Sequence, residues 1–149
     1  ERQCKVMNQT GQYTTFFLGD RLYGIDVQQV QEVTKALVMT RVPLAPTYVH
    51  GLINLRGQIA TAIGLRELFH LENNGTNEHM NIVCSSNGQL FSLLVDKIGD
   101  VVEVPMKDFE DTPNTVSAEV RKYMTGVYKL PDQLLSIIDI EHIIKNLNI

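Results

Sequence analysis

The sequence predicts a mainly β fold in which two small barrels, or strongly curled sheets, pack against each other. Three observations carry this expectation. Short runs rich in Phe, Tyr, Ile and Val are bounded by glycine-containing turns; the runs recur in the same order later in the chain; and 149 residues suffice for a sizeable core without disulfides or metal.

Taken in order, Tyr13–Gly19 and Leu22–Asp26 read as strands joined through Gly19-Asp20-Arg21 as a hairpin. Apolar residues at 27, 30 and 33 are spaced by three, which predicts one or two helical turns over Val27–Val33. Ala36–Val42 reads as the next strand, ended by Pro43 and Pro46, neither of which can donate to a ladder. Gly51–Gly57 and Gln58–Ile63 predict two strands joined at Arg56-Gly57, which puts Arg56 at a hairpin tip. Leu65–Leu71 reads as a short helix, and the polar stretch Glu72–Glu78 as a linker or exposed loop.

Beyond that seam the pattern restarts. Gly51–Leu68 aligns with Gly126–Ile143 at a shift of 75 positions, and Tyr23–Val33 aligns without gaps with Phe91–Val101 at a shift of 68. One loop insertion absorbs the difference. Two similar β-rich halves follow, roughly 13–70 and 80–140, each with too few strands to be comfortable alone. A groove between them is a natural place to bind another chain.

Charge and composition narrow the function classes. Thirteen basic against seventeen acidic residues give a net charge of −4, with 44% hydrophobic and 20% charged residues, which argues against wholesale disorder and against a nucleic-acid surface. The longest stretch free of Asp, Glu, Lys, Arg and His, Met80–Val95, is shorter than the roughly 18 apolar residues of a spanning helix and is interrupted by polar residues, so no direct membrane insertion is expected. Cys4 and Cys84 do not form a secreted disulfide pattern, which points to reduced thiols in a cytoplasm. The N-terminal segment shows no signal peptide, while the missing initiating Met leaves the native start open.

No catalytic constellation emerges. His50, His70, His79 and His142 lack metal-ligand spacing, no phosphate-binding glycine loop or nucleophile elbow is present, and Glu110-Asp111 reads as solvated charge. Cys84, within an apolar run, reads as a small buried hydrophobe. The expectation is no catalytic residue, no metal and no cofactor. Arg56 is the most informative polar residue: a guanidinium at a glycine-flanked tip can bind a carboxylate with two parallel hydrogen bonds, although an ordinary solvated turn arginine has the same pattern. Val30 poses the choice between core and contact, and Glu32 between solvated face and contact. Gly51 and Gly57 read as turn or close-approach residues.

The ordered strings Tyr23–Val33, Thr40–Pro43, Gly51–Gly57 leading into Leu65-Arg66, and Leu94–Val102 resemble the CheW family of bacterial chemotaxis coupling proteins, over about Tyr13 to Ile144. The resemblance implies a single CheW-like domain over residues 1–149, with two five-stranded SH3-like barrels around a shared core, short helices and a C-terminal helix. Its approximate sub-barrels are 13–70 and 80–140, with room for crossing or shared segments. It also implies a non-enzymatic cytoplasmic adaptor, recruited to membrane receptor arrays, that joins the cytoplasmic tip of methyl-accepting chemoreceptors to the regulatory domain of the chemotaxis histidine kinase. Carried across by position, it puts Val30, Glu32, Arg56 and Val101 in or beside the receptor-binding groove and makes Thr40, Gly51, Gly57 and Ile98 functionally sensitive. The kinase is expected to pair barrel to barrel, with its contact residues unassigned. Thr61 stands where the family usually has proline, and Gly64 where it usually has aspartate. The competing expectations are a CheW-like domain of a larger receiver-containing protein, and a small-ligand-binding or hydrolytic β-barrel.

Overall fold

A computed structural model describes residues 9–35, 37–72 and 79–147. Its ten strands are β1 (Thr10–Leu18), β2 (Arg21–Asp26), β3 (Val30–Lys35), β4 (Val49–Leu55), β5 (Gln58–Gly64), β6 (Met80–Ser86), β7 (Gln89–Val95), β8 (Lys97–Pro105), β9 (Met124–Lys129) and β10 (Leu134–Ile138). They form two five-stranded sheets, ordered β8-β1-β2-β10-β9 and β3-β6-β7-β5-β4. Short helices cover Leu65–Leu68 and Ala118–Arg121, and a C-terminal helix covers Ile140–Lys145. No helix among the described residues is long and apolar enough to cross a membrane.

The sheets do not coincide with the sequence halves. The first takes β1 and β2 from the beginning of the chain but β8, β9 and β10 from its end; the second takes β6 and β7 from the later half but β3, β4 and β5 from the earlier one. Replacing β1, β2, β8, β9 and β10 by β6, β7, β3, β4 and β5 converts the first order into the second. Both sequence shifts land on this relation: Tyr23–Asp26 of β2 matches Phe91–Leu94 of β7, and the β4–β5 hairpin matches β9–β10. In each sheet the hairpin joins through a parallel pairing, β5 to β7 and β10 to β2. The repeat is therefore a duplication whose halves have exchanged strands, and the boundaries 13–70 and 80–140 mark repeats rather than sheets.

Two local expectations need correction. The strand read at Ala36–Val42 lies earlier, at Val30–Lys35, directly after a single 3-10 turn at Val27–Gln29. Along it half-buried and exposed residues alternate with the period of two that an edge strand demands, so the spacing of three at 27, 30 and 33 joined a turn to a strand. In the segment 37–42, Thr40 alone pairs, through an isolated bridge to Leu52, and Ala36 lies outside the described residues. The helix expected over Leu65–Leu71 ends at Leu68, where His70 turns to positive φ. Residues 73–78 of the polar stretch, and Cys4, also lie outside the described residues. Cys84 is a free, buried thiol whose ionisation burial pushes up to about 12, which keeps it an inert apolar group.

The core has three parts. Twenty buried side chains, from Phe16, Tyr23 and Ile25 of one sheet to Ile63, Ile82 and Leu93 of the other, form a cluster shared by both; the two barrel interiors hold only seven and six among the described residues. Burial scales with apolar area, so most of the hydrophobic stabilisation lies between the sheets. Phe16, Tyr23, Phe69 and Tyr123 run through it with successive ring centroids 5.6 Å apart.

The chain crosses between sheets at Val27–Gln29 and at Asp96. The second crossing is clamped. Arg66 donates from Nε to Asp96 Oδ1 at 2.9 Å and from Nη2 to Oδ2 at 2.5 Å, the Gly19 N–H donates to Oδ2 at 2.7 Å, and the Asp96 N–H donates to the Phe17 carbonyl at 3.1 Å. One carboxylate thus ties the helix after β5 to the β1–β2 turn. Gly51 and Gly126, equivalent in the repeat, serve another close approach: a Cβ on Gly51 would lie 2.6 Å from the Thr40 carbonyl oxygen, and one on Gly126 2.5 Å from that of Glu110. Thr40 and Glu110 make the matching isolated bridges, to Leu52 and Val127.

Gly51→Ala should therefore cost roughly 2–3 kcal/mol in chemical denaturation, with Gly126→Ala costing a similar amount, because backbone must move in both. The Arg66 hydrogen bond, helped by the Gly19 N–H, holds the Asp96 carboxyl below its ordinary value despite partial burial. Its folded pKa is depressed, so its stabilisation is complete above the unfolded carboxylate range near about pH 4 and is lost as pH falls through the lower folded value. Asp96→Asn should lower the Tm at pH 7 and flatten the decline of Tm on acidification; an unchanged acid limb would assign that decline elsewhere.

Candidate partner-binding site

The β4–β5 turn is built for display. Leu55 pairs with Gln58, leaving Arg56 and Gly57 as a two-residue loop with φ of 51° and 87°, and the Asn54 side-chain oxygen accepts from the Gly57 N–H at 2.9 Å. Positive φ at both central residues marks the turn type whose twist matches a hairpin. Glycine suits the second position; arginine at the first is held in a sparsely populated conformation. Its guanidinium is 71% exposed and pairs with the Glu32 carboxylate, which is 25% exposed, through Nη2 to Oε1 and a longer Nη1 to Oε2 contact of 3.5 Å. The hydrogen bond from Arg56 to Glu32, then their charge attraction, raises the guanidinium further, so it stays charged.

Glu32 reaches that tip because β3 carries an irregularity between Val30 and Glu32, where two residues oppose one step of β6. Since β3 and β4 are the two edges of the second sheet, the ion pair spans its open side. An exposed pair adds little stability, so its consequence is orientation.

The apolar positions divide between the barrels. Val30 and Ile98 stand at the starts of β3 and β8, first and second residue respectively of the equivalent edge strands of the two sheets, and both rest half-buried on the shared core. Further along, the equivalent residues Val33 and Val101 are 39% and 61% exposed. Val101 pairs with Thr14 on the first sheet; among the described residues no hydrogen bond or ion pair joins it to Glu32 or Arg56. Thr40 and Gly51 meet at the bridge to Leu52, where Thr40 and Leu52 exchange two backbone hydrogen bonds of 2.8 Å. Gly57 shapes the turn. Of the eight positions singled out from sequence, Glu32 and Arg56 form one pair, Thr40 and Gly51 another, and Val30, Ile98 and Val101 contribute apolar surface from both barrels.

The two residues that depart from the resemblance, further along β5, explain themselves locally. A side chain at Gly64 would collide with the Glu67 carboxylate and with His50 Nε2, so the His50–Glu67 contact of 2.7 Å fills the space there. Thr61 keeps an N–H in the middle of β5, flanked by Leu52 and Phe91, where proline would have none.

Two surface clefts lie on equivalent ends of the parallel strand pairs, and sequence reasoning did not find them. One, of about 570 Å³, is lined by Gln58, Ile59, Thr61, Gln89, Leu90 and Ile144 among others. The other, of about 360 Å³, is lined by Arg21, Leu22, Val116, Gln133, Leu134 and Ser136 among others. Ile59 is 57% exposed and its repeat partner Leu134 38%. The signal was present in the alignment, which matches Gln58-Ile59 to Gln133-Leu134, but strand apolarity alone does not tell a buried from an exposed position. Neither cleft holds converging carboxylates, and no group of three metal-ligating side chains occurs among the described residues.

Comparison with known proteins agrees with this architecture. A family model described as CheW-like domain matches residues 12–148. The chain is 30% identical to the chemotaxis protein CheW of Treponema pallidum, covering 91% of this chain and 82% of that protein. It is 31% identical to the CheW of Helicobacter pylori, with 90% and 81% covered. Among solved structures, the scaffolding protein TtCheW from Thermoanaerobacter tengcongensis superposes with a TM-score of 0.78 at 29% identity, covering 87% of this chain and 89% of that one. With the matched model, the two five-stranded sheets and the shared core in agreement, the chain belongs to the CheW-like domain family.

Proposed function

We propose that this chain is a non-enzymatic coupling scaffold of bacterial chemotaxis, binding the cytoplasmic tip of a chemoreceptor and the regulatory domain of the chemotaxis histidine kinase at once. The observation that carries the reading is the display of two distinct surfaces on one shared core: the Arg56–Glu32 tip with apolar edge strands, and the Ile59 cleft. A receptor coiled coil presents apolar ridges flanked by charge, which suits Val30 and Val101 on the two edge strands together with an ion pair able to exchange partners. The kinase domain takes the Ile59 cleft, because that cleft is larger, neutral and lined by an exposed isoleucine next to the Arg56 hairpin.

Holding both partners on one rigid body turns their encounter into an intramolecular contact and lets receptor state bias kinase activity. The mechanism uses no bond-making and calls for no cofactor. Recruitment of the scaffold to membrane receptor arrays follows from receptor binding rather than from insertion into the bilayer. The similarity of the named relatives over more than four-fifths of their length supports this reading over a small-ligand barrel.

Two variants separate the surfaces by calorimetric titration. Arg56→Glu should weaken binding of a receptor-tip coiled-coil fragment about tenfold or more while leaving kinase-domain binding and the circular dichroism spectrum unchanged. Ile59→Asp should do the reverse. Equal loss of both partners in either folded variant, or no loss in both, would sink the assignment of the surfaces.

A further inference from the structure

The first crossing between the sheets ends in a side-chain clasp. Asp26 opens the 3-10 turn Val27–Gln29 by accepting from the Gln28 N–H at 2.9 Å, and the Val30 N–H closes it on the Val27 carbonyl. The turn is thus one stiff step between β2 and β3. At its end the half-buried Gln29 amide reaches the start of the C-terminal helix: Nε2 donates to Asp139 Oδ1 at 2.5 Å, and Oε1 accepts from the Ile140 N–H at 3.3 Å. The same helix grips the neighbouring strand, because the Ser86 hydroxyl at the end of β6 donates to Glu141 Oε1 at 2.5 Å. β6 pairs with β3 from Val30 onward, so the helix fixes both strands of the pair beside the irregularity that lets Glu32 reach Arg56. As an edge strand, β3 has a ladder on one side only, and its beginning depends on the crossing for its position.

We infer that Gln29 is a positioning residue for the receptor-facing edge: by clasping Asp139 and Ile140 it fixes where Val30 and Glu32 stand, without itself touching the partner. This rests on the receptor reading above. The other edge strand supports it. At a shift of 68 positions Gln28 matches Asp96, and there too the crossing is tied to the helix after a parallel-paired strand, through Arg66, before β8 carries Ile98 and Val101. The chemistry differs, an ion pair there and an amide–carboxylate pair here, so the two clasps answer to different substitutions. Gln29→Glu keeps the side-chain size but sets two carboxylates against each other. Adding Asp139→Asn exchanges the roles: an amide again faces a carboxylate across the same gap, and the new carboxylate still accepts from the Ile140 N–H.

The test titrates the full chain by calorimetry with a receptor-tip coiled-coil fragment and, as reference, with the kinase regulatory domain, below the melting transition of each variant. Gln29→Glu should weaken receptor binding about fivefold or more while kinase-domain affinity stays within about twofold of wild type. Asp139→Asn added to it should restore receptor affinity, the signature of a pair rather than of general loosening. Gln29→Met deletes both hydrogen bonds without adding charge; it should weaken receptor binding as well and gain nothing from Asp139→Asn, and it carries the test if Gln29→Glu does not fold. Undiminished receptor affinity in the folded single variants, a loss in Gln29→Glu that Asp139→Asn does not reverse, or equal loss of both partners would overturn the inference. If Arg56→Glu binds the receptor fragment as wild type does, the receptor reading fails first and the inference with it.

Discussion

The exchange of strands between the two barrels is the constraint on which the rest depends. Each sheet is completed only by strands from both ends of the sequence, and β3 and β8, which carry the chain across, begin on the shared core. A chain cut near residue 75 would therefore leave each fragment with two strands of one sheet and three of the other. The largest apolar cluster lies between the sheets, so the barrels gain most of their burial from each other. Relative motion of the two barrels opposes that burial, and the Asp96–Arg66–Gly19 clamp opposes it again at the crossing.

Rigidity of this kind suits a scaffold. The tip that carries Arg56 and the cleft that begins at Gln58 are neighbours along one hairpin, yet one points its guanidinium to Glu32 on β3 while the other opens beside the C-terminal helix through Ile144. Two partners on such surfaces have a geometry fixed by β4 and β5, which are themselves locked to β7 by parallel pairing and to Thr40 by the bridge over Gly51. Glycine at position 51 answers a demand of packing: the space a side chain there would need is occupied by the Thr40 carbonyl.

Much of this was legible in the sequence, for identifiable reasons. Period-two apolarity and glycine turns marked the hairpins, so Arg56-Gly57 fell at the tip where it stands. The repeat exposed the duplication, because strand equivalence survives as columns of apolar residues. Sheet membership was not legible, since two hairpins with the same pattern can close locally or across, and burial between the halves decides it. Val27–Val33 misled because a 3-10 turn followed by an edge strand imitates helical spacing over three apolar residues. Glu32 as the partner of Arg56 was also hidden: its reach depends on a bulge in β3, and a bulge leaves no mark in an alternation already disturbed by a turn.

The central claim is simultaneous occupation of two separate surfaces on one rigid chain. Sedimentation velocity on a mixture of the full chain, a chemoreceptor-tip coiled-coil fragment and the kinase regulatory domain, with each pair as reference, tests it most directly. The account expects a complex heavier than any pair that contains all three components. Competition, in which adding the receptor fragment releases the kinase domain from the chain, would contradict it.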